Sequence, residues 1–314
     1  MNFALVGYTG FVGSNIYAKA LNQINGLYNS KNIKSAYNMA PDVLIYAGLR
    51  AEKYLANTYP EKDKLLIEEA KQNIRNINPK KLIVISTIDV FKEPVNVDEN
   101  SKIDINGLQP YGYNRYLFET WVRENYPNAL IIRLPALFGI NLKKNFLYDY
   151  INPIPHILKK EKMEELFAIN KNLLNYYTVQ NEQFYKLKNI AENEKNQLKN
   201  LLKIIGFSAL NFTDSRNIYQ FYNLARLWDD IQIALKHDLR IWHPATEPIS
   251  AGEIYKFLTG KEFVNEIMQV PAYYNYRTIY YEIFGGRNGY INSEAQVLHQ
   301  IKDFIVEQQT LING

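Results

Sequence analysis

The sequence predicts an α/β protein in which a doubly wound parallel sheet is followed by a smaller, mainly helical region. Three observations carry this. Short, unbroken apolar runs alternate with helical patterns through residues 1–138, a glycine-rich turn joins the first run to the first helix, and the texture changes after Gly139. Strands covered by helices on both faces have no polar side to show, so they read as continuous apolar runs.

Residues 3–7, Phe-Ala-Leu-Val-Gly, read as the first strand and residues 11–24 as its helix. Residues 43–47 form another buried run. A helix follows over 63–77, where Ile67, Ala70, Ile74 and Ile77 recur at helical spacing. Residues 81–86 are a strand, 111–125 a helix and 129–133 a strand. From 156 to 206 the chain is rich in Lys, Glu, Asn, Tyr and Leu, which predicts long helices and no strand. Residues 224–235 read as a helix and 239–242 as a short strand rejoining the sheet. Ser250-x-x-Glu253 and Ser293-x-x-Gln296 have the form of capping boxes, and Gly260 is placed to stop the first of those helices. The expected division is a nucleotide-type domain over 1–138 and a mainly helical region over 139–314, with about 221–245 returning to the first.

Composition narrows the chemistry. With 314 residues, 47% hydrophobic and 22% charged, the chain can bury a large core and is not broadly disordered. It has no cysteine, so disulfides, zinc-thiolate sites, iron–sulfur clusters and a thiol nucleophile are excluded. The net charge of +4 is spread along the chain, and residues 159–203 mix both signs, which argues against a nucleic-acid partner. No apolar run approaches the ~18–20 residues of a spanning helix, and no signal-peptide pattern opens the sequence. A cytoplasmic protein without a membrane partner is expected. His156, His237, His243 and His299 are scattered, so no metal site is expected, and neither a Gly-x-Ser-x-Gly elbow nor a Gly-Lys-Ser/Thr phosphate loop occurs.

Gly7-Tyr-Thr-Gly10-Phe-Val-Gly13 follows the first strand and opens the first helix. Gly7 permits a tight turn, Gly10 lets backbone approach a pyrophosphate, and Gly13 lets the helix pack close to the strand. The helix N-terminus adds free N–H groups and a positive dipole end, so the turn reads as a Rossmann-type dinucleotide signature. A carboxylate ~20 residues further on would bind a ribose 2′-hydroxyl and repel a 2′-phosphate. The first acidic residue of the chain is Asp42, and the tip of the second strand carries Asn29, Ser30 and Lys31. Those groups suit a 2′-phosphate or are indifferent to it, so the reading leans to NADP over NAD.

Ser86-Thr-Ile-Asp-Val-Phe91 ends a strand, and Tyr111-Gly-Tyr-Asn-Arg115 begins a helix. Tyr111 and Arg115, four apart, share a helical face. A phenol with a pKa near ~10 is too weak a base at neutral pH, and a neighbouring cation favours its ionised form. The Thr87 hydroxyl could hold a substrate oxygen while Tyr111 exchanges its proton. In a chain with 25 Tyr the same pair also reads as an ordinary helix-surface contact.

Taken in order, these motifs and Arg133-Leu-Pro-Ala-Leu-Phe-Gly139 resemble the extended short-chain dehydrogenase/reductases, the nucleotide-sugar epimerase, dehydratase and reductase group. The resemblance runs over residues 1–146 and returns over 221–253, in Leu227-Trp-Asp-Asp-Ile231 and Ala245-Thr-Glu-Pro-Ile-Ser250. It implies a Rossmann-type cofactor domain with a smaller, mainly helical substrate domain. Gly7, Thr9, Gly10, Phe11, Val12, Gly13, Asn29, Ser30, Lys31, Ala47, Gly48 and Pro135 would hold NADP or NAD. Thr87 would take the catalytic Ser/Thr position and Tyr111 that of the acid/base, kept acidic by Arg115.

Arg115 stands where the family usually has Lys; guanidinium keeps the charge but cannot shuttle a proton. Thr87 is followed by Ile88-Asp89 rather than the Asp-Glu of the dehydratases, which disfavours elimination. Asn145, Arg216 and Arg277 are the candidate substrate contacts, and the tyrosines between Tyr273 and Tyr276 would stack a base or pack within a helix. The implied function is an NAD(P)-dependent oxidoreductase or epimerase acting on a nucleotide sugar. A catalytically silent dinucleotide-binding sensor or assembly protein is the alternative. A homodimer through the helices near 63–77 and 111–125 is implied as well.

Overall fold

The computed structural model describes residues 1–313 and divides into two compact units. The first comprises Met1–Leu142, Ile218–Ser250 and Ala272–Phe304; the second comprises Lys143–Asn217, Ala251–Pro271 and the chain from Ile305.

The first unit opens with β1 (Phe3–Val6), α1 (Phe11–Ala20), β2 (Ile24–Tyr28) and β3 (Val43–Tyr46). It continues with α2 (Lys53–Thr58), α3 (Pro60–Ile77), β4 (Lys81–Thr87), α4 (Pro110–Asn125), β5 (Leu130–Leu134) and β6 (Ala136–Phe138). The second unit supplies α5 (Phe146–Ile151), β7 (Ile157–Lys159), α6 (Lys160–Ile169), β8 (Tyr177–Asn181), β9 (Phe184–Leu187) and α7 (Glu192–Ile205). The chain returns as β10 (Ile218–Tyr219), β11 (Phe221–Asn223), α8 (Leu227–Lys236), β12 (Ile241–Trp242) and β13 (Ile249–Ser250). It ends in α9 (Ala251–Thr259) and α10 (Glu294–Asn313).

The central sheet has six parallel strands in the order β12-β5-β4-β3-β1-β2. Successive side chains of a strand face opposite ways. Phe3 and Leu5 accordingly join one core with Ile16 and Ala20 of α1 and Trp228 and Ile231 of α8. Ala4 and Val6 join the other, with Ile67, Ala70 and Ile74 of α3 and Phe118 and Val122 of α4. This is the doubly wound Rossmann-type sheet that the apolar runs predict.

The helices that matter to the site have local causes. Both α3 and α4 begin with Pro at the first helical position, where no N–H is needed. In α3, Glu61 and Asp63 lie in the first turn and Arg75 in the last, complementing the helix dipole, and Asn78 ends the helix in a left-handed conformation (φ 55°). The first helix is shorter than expected: Leu21–Gln23 forms a 3-10 turn and Ile24 already starts β2. Ser293 opens α10 as a capping box, its N–H donating to Gln296 Oε1 at 2.8 Å.

Two expectations require correction. The stretch 156–206 is not purely helical, because β7, β9 and β8 form a three-stranded antiparallel sheet over Leu158, Met163, Leu166, Leu198 and Leu202. In β8 only Tyr177 is buried, and the exposed remainder, with Val179 its one apolar residue, gives no apolar run to read. The return to the first unit is also wider than 221–245: it covers Ile218–Ser250 and again Ala272–Phe304, whose Phe284 and Ile291 pack into the first core.

Candidate active site

In an open α/β sheet, ligands bind beyond the carboxyl ends of the strands where the strand order reverses. Here that point lies between β1 and β3, and a cleft of about 490 Å³ opens there. Gly7, Thr9, Gly10, Phe11, Val12, Asn29, Ser30, Ala47, Gly48 and Pro135 line it, and so do Thr87, Tyr111 and Arg115. Apart from Gly13 and Lys31, the residues read as cofactor-binding and those read as catalytic therefore face one space.

Gly7 has φ +90°, and a Cβ there would lie 2.5 Å from the Ala47 carbonyl oxygen. At Gly13 a Cβ would come within 2.1 Å of the Gly7 carbonyl oxygen, so only glycine lets α1 sit this close to the turn. Gly13 itself does not line the cleft. A Cβ on Gly10 would meet only the Gly7 carbonyl oxygen, at 3.2 Å, and no side chain caps α1. That cradle, with free first-turn amides at the end of a ten-residue helix, fits a pyrophosphate.

Lys31 does not line the cleft. The chain turns sharply after β2, with the Lys31 N–H donating to Asn29 Oδ1 (2.9 Å) and the Asn29 N–H to Asn32 Oδ1 (2.7 Å), and Lys31 is left exposed. Asn29 and Ser30 keep their places in the lining.

The β4 end and the start of α4 bring Thr87 and Tyr111 to the same cleft, close enough for the Thr87 hydroxyl to lower the Tyr111 phenol's pKa. Thr87 Oγ1 also accepts the Asp89 N–H at 3.2 Å, capping the short turn beyond β4. Gly112 permits the approach, since a Cβ there would lie 2.0 Å from the Asp89 carbonyl oxygen. The Tyr111 N–H donates to Asn57 Oδ1 of α2 at 2.9 Å.

Arg115 does share the face of Tyr111, its guanidinium 4.7 Å from the ring centroid. It does not leave Tyr111 acidic. Burial raises the Tyr111 phenol above its ordinary range, and the lowering by Arg115 and Thr87 is outweighed with Asp89 and Asp63 also raising it. Arg115 is itself buried and held by Asp63 of α3: Nη1 donates to Oδ2 at 2.9 Å and Nη2 to Oδ1 at 3.0 Å, while Nη2 also donates to the Arg50 carbonyl at 2.8 Å. Asp63 and Asn114, whose Nδ2 donates to Asp63 Oδ2 at 2.9 Å, were not legible as site residues. Asp63 precedes Arg115 by 52 positions, and only the packing of α3 on α4 pairs them.

A buried network adjoins the site. Glu119 of α4 and Arg133 of β5 pair at 2.7 Å with 0% and 2% of their side chains exposed, and the Ser86 hydroxyl donates to Glu119 Oε1 at 2.6 Å. Arg133 Nη1 lies 3.2 Å from His243 Nε2. Burial, and then Arg133, hold the His243 imidazole well below its ordinary pKa, so it is neutral.

The candidate substrate residues are placed as follows. Asn145 accepts the Tyr148 N–H at 3.1 Å at the head of α5 and lines a separate cavity of about 880 Å³ in the second unit, with Lys143, Lys144, Asp149 and His156. Burial pushes the Asp149 carboxyl there up to about 7. Arg216 is committed to local partners: Nε and Nη2 donate to Asp214 at 3.0 and 2.8 Å, and Nη1 pairs with Glu266 at 3.0 Å. Arg277, in the first unit, is exposed and stands over the Tyr290 ring. Residues 273–276 form no helix; Tyr276 is buried and the Tyr274 hydroxyl donates to Asp89 at 3.0 Å. Among the described residues, no group of three or more His, Asp or Glu is placed to hold a metal, and no helix is long and apolar enough to cross a membrane.

No family model and no curated protein matches the sequence. The fold, by contrast, has many solved counterparts. A dTDP-4-dehydrorhamnose reductase from Clostridium acetobutylicum superposes with a TM-score of 0.63 at 12% identity, over 98% of this chain and 100% of that one. The Bacillus anthracis dTDP-4-dehydrorhamnose reductase, solved in complex with NADP, gives 0.62 at 14% identity over 98% and 99%. A UDP-N-acetylglucosamine 4-epimerase from Methanobrevibacter ruminantium, in complex with UDP-N-acetylmuramic acid, gives 0.60 at 11% over 99% and 98%. The fold is thus a Rossmann-type α/β fold, shared with these dTDP-4-dehydrorhamnose reductases and this UDP-sugar 4-epimerase.

Proposed function

We propose that the protein is an NAD(P)-dependent reductase or epimerase acting on a nucleotide-activated sugar. One observation carries the proposal: the glycine turn and the Thr87–Tyr111 pair line the same cleft. A nicotinamide dinucleotide bound there supplies or accepts a hydride. The first-turn amides of α1 face its pyrophosphate, with Asn29 and Ser30 toward the adenosine ribose and Pro135 beside the nicotinamide. Thr87 orients the oxygen of the reacting sugar carbon, and Tyr111 exchanges a proton with it. Asn145, Arg216 and Arg277 are proposed as substrate contacts, with Arg277 available to a phosphate; Arg216 would have to leave Asp214 and Glu266 to serve. NADP is the preferred dinucleotide, because no carboxylate lines the cleft at the β2 tip. The setting proposed is cytoplasmic.

Thermal unfolding with NADPH and with NADH at matched concentrations tests the reading. Ligand at 100 times its dissociation constant stabilises the folded protein by ~2.7 kcal/mol. Stabilisation by NADPH alone is expected; by NADH alone would overturn the reading of Asn29 and Ser30, and by neither would remove the basis for an enzyme. The silent dinucleotide-binding reading has one observation in its favour, the pairing of Arg115 with Asp63. It predicts cofactor binding with no dinucleotide consumption on any 4-keto or 4-hydroxy nucleotide sugar.

A homodimer through α3 and α4 is also proposed. Leu65 and Leu117 on these helices are exposed, at 69% and 36%. Light scattering is expected to give twice the 36.7 kDa of one chain; a monomer mass at all concentrations would exclude it.

A further inference from the structure

We infer that Asp63 is a positioning residue: by holding both terminal nitrogens of Arg115 it fixes the guanidinium over the Tyr111 ring and offsets part of its charge there, which, in a buried site, suits Tyr111 to giving a proton. This rests on the reading of Tyr111 as the acid/base and adds the direction in which it works, reduction of a keto sugar rather than epimerisation.

The geometry is specific. Asp63 and Arg115 are 6% and 3% exposed, and their two parallel hydrogen bonds of 2.9 and 3.0 Å form a fork-to-fork pair. Asn114 and the Arg50 carbonyl fill further positions around it, so the fork has one orientation. A cation so closely paired presents a dipole to its neighbour. A lysine at this position would place a mobile ammonium by the phenol and could pass a proton; a clamped guanidinium does neither.

The other groups facing Tyr111 act in both directions. From the β4 end come Thr87, which lowers the phenol, and Asp89, which raises it. Asp89 is paired with Lys53 of α2 at 3.0 Å and accepts the Tyr274 hydroxyl at 3.0 Å. Burial is the largest influence and favours the neutral phenol.

A neutral phenol serves one direction. In reduction the Tyr111 O–H bond breaks and its proton joins the carbonyl oxygen of the sugar, while the carbonyl carbon takes a hydride from a reduced nicotinamide dinucleotide. The tyrosinate left behind regains a proton from water. Oxidation, the first half of an epimerisation, needs Tyr111 to begin as phenolate.

Asp63→Asn tests this, since it keeps an acceptor for Arg115 and removes the charge. In cofactor-free protein, phenolate absorbance is followed across the ~10 of a free phenol, and the Tyr111→Phe curve is subtracted. The Tyr111 titration is expected to move down by about one pH unit or more in Asp63→Asn and to stay in place in Asp63→Glu. The alkaline limb of keto-sugar reduction moves down with it, because the reacting form is the protonated one. A purely structural Asp63 would lower stability and leave the Tyr111 titration unmoved, which would overturn the inference. Should Asp63→Asn fail to fold, wild type against Tyr111→Phe still decides: a Tyr111 phenolate already present near pH ~8 overturns it, and none below ~10 supports it. The titration needs neither cofactor nor substrate, so absent turnover would count against the proposed function and not against this pairing.

Discussion

Replacing Tyr111 with phenylalanine is expected to lower kcat about a hundredfold to ten-thousandfold, the range for removing a positioned proton donor, while dinucleotide affinity changes only a few-fold. The contrast follows from where the residue sits. Tyr111 lines the cleft with its hydroxyl beside Thr87, whereas the pyrophosphate cradle is made by the turn before α1. The phenylalanine ring still packs under the Arg115 guanidinium, so the α3–α4 pairing survives. Steady-state kinetics on a keto nucleotide sugar, with NADPH affinity read by fluorescence, separates the two. Retained turnover would exclude Tyr111 as the acid/base; lost affinity would place the ring in cofactor binding instead.

The second large effect concerns stability. Glu119→Ala is expected to cost ~3–5 kcal/mol, because it strands a buried cation. Glu119 receives hydrogen bonds from Arg133 Nε, from Arg133 Nη2 and from the Ser86 hydroxyl, with no part of its side chain exposed. The nearest alternative for Arg133 is His243, a neutral imidazole that brings no negative charge. Urea unfolding measures the loss. A midpoint equal to that of wild type would mean the pair contributes nothing net. Arg133→Met combined with Glu119→Leu should recover most of the loss, since a well-packed apolar pair of similar size replaces a buried ion pair at little cost.

The sheet was legible because its physics is local. Phe3–Val6, Val43–Tyr46 and Leu130–Leu134 are apolar throughout, and Gly7, Gly10 and Gly13 mark the turn that follows the first of them. Pro60 and Pro110 likewise mark the starts of α3 and α4. What escaped depends on contacts between distant segments. Asp63 and Arg115 meet only when two helices pack, and the burial that outweighs Arg115 at Tyr111 also exists only in the folded chain. The β8–β9 ribbon escaped because its strands are short and mostly exposed, with Tyr177 the one buried residue of the pair. Arg216 is different: Asp214, two residues away, was in plain view, and the bidentate contact between them needs no tertiary information.

The sixth strand of the sheet has a consequence for biosynthesis. Ile131 and Ile132 of β5 find their outer partners only in Ile241 and Trp242, after the whole segment Lys143–Asn217 has been made. Trp242 then stacks on Phe284, at 4.5 Å between ring centroids, which comes later still. Until that point the nascent chain carries a parallel strand with an open, strongly apolar flank, the kind of edge on which other chains can pair. Chains released early, between residues 142 and 241, would be the aggregation-prone species, and a chaperone holding the emerging β5 would have to wait for more than a hundred residues of synthesis.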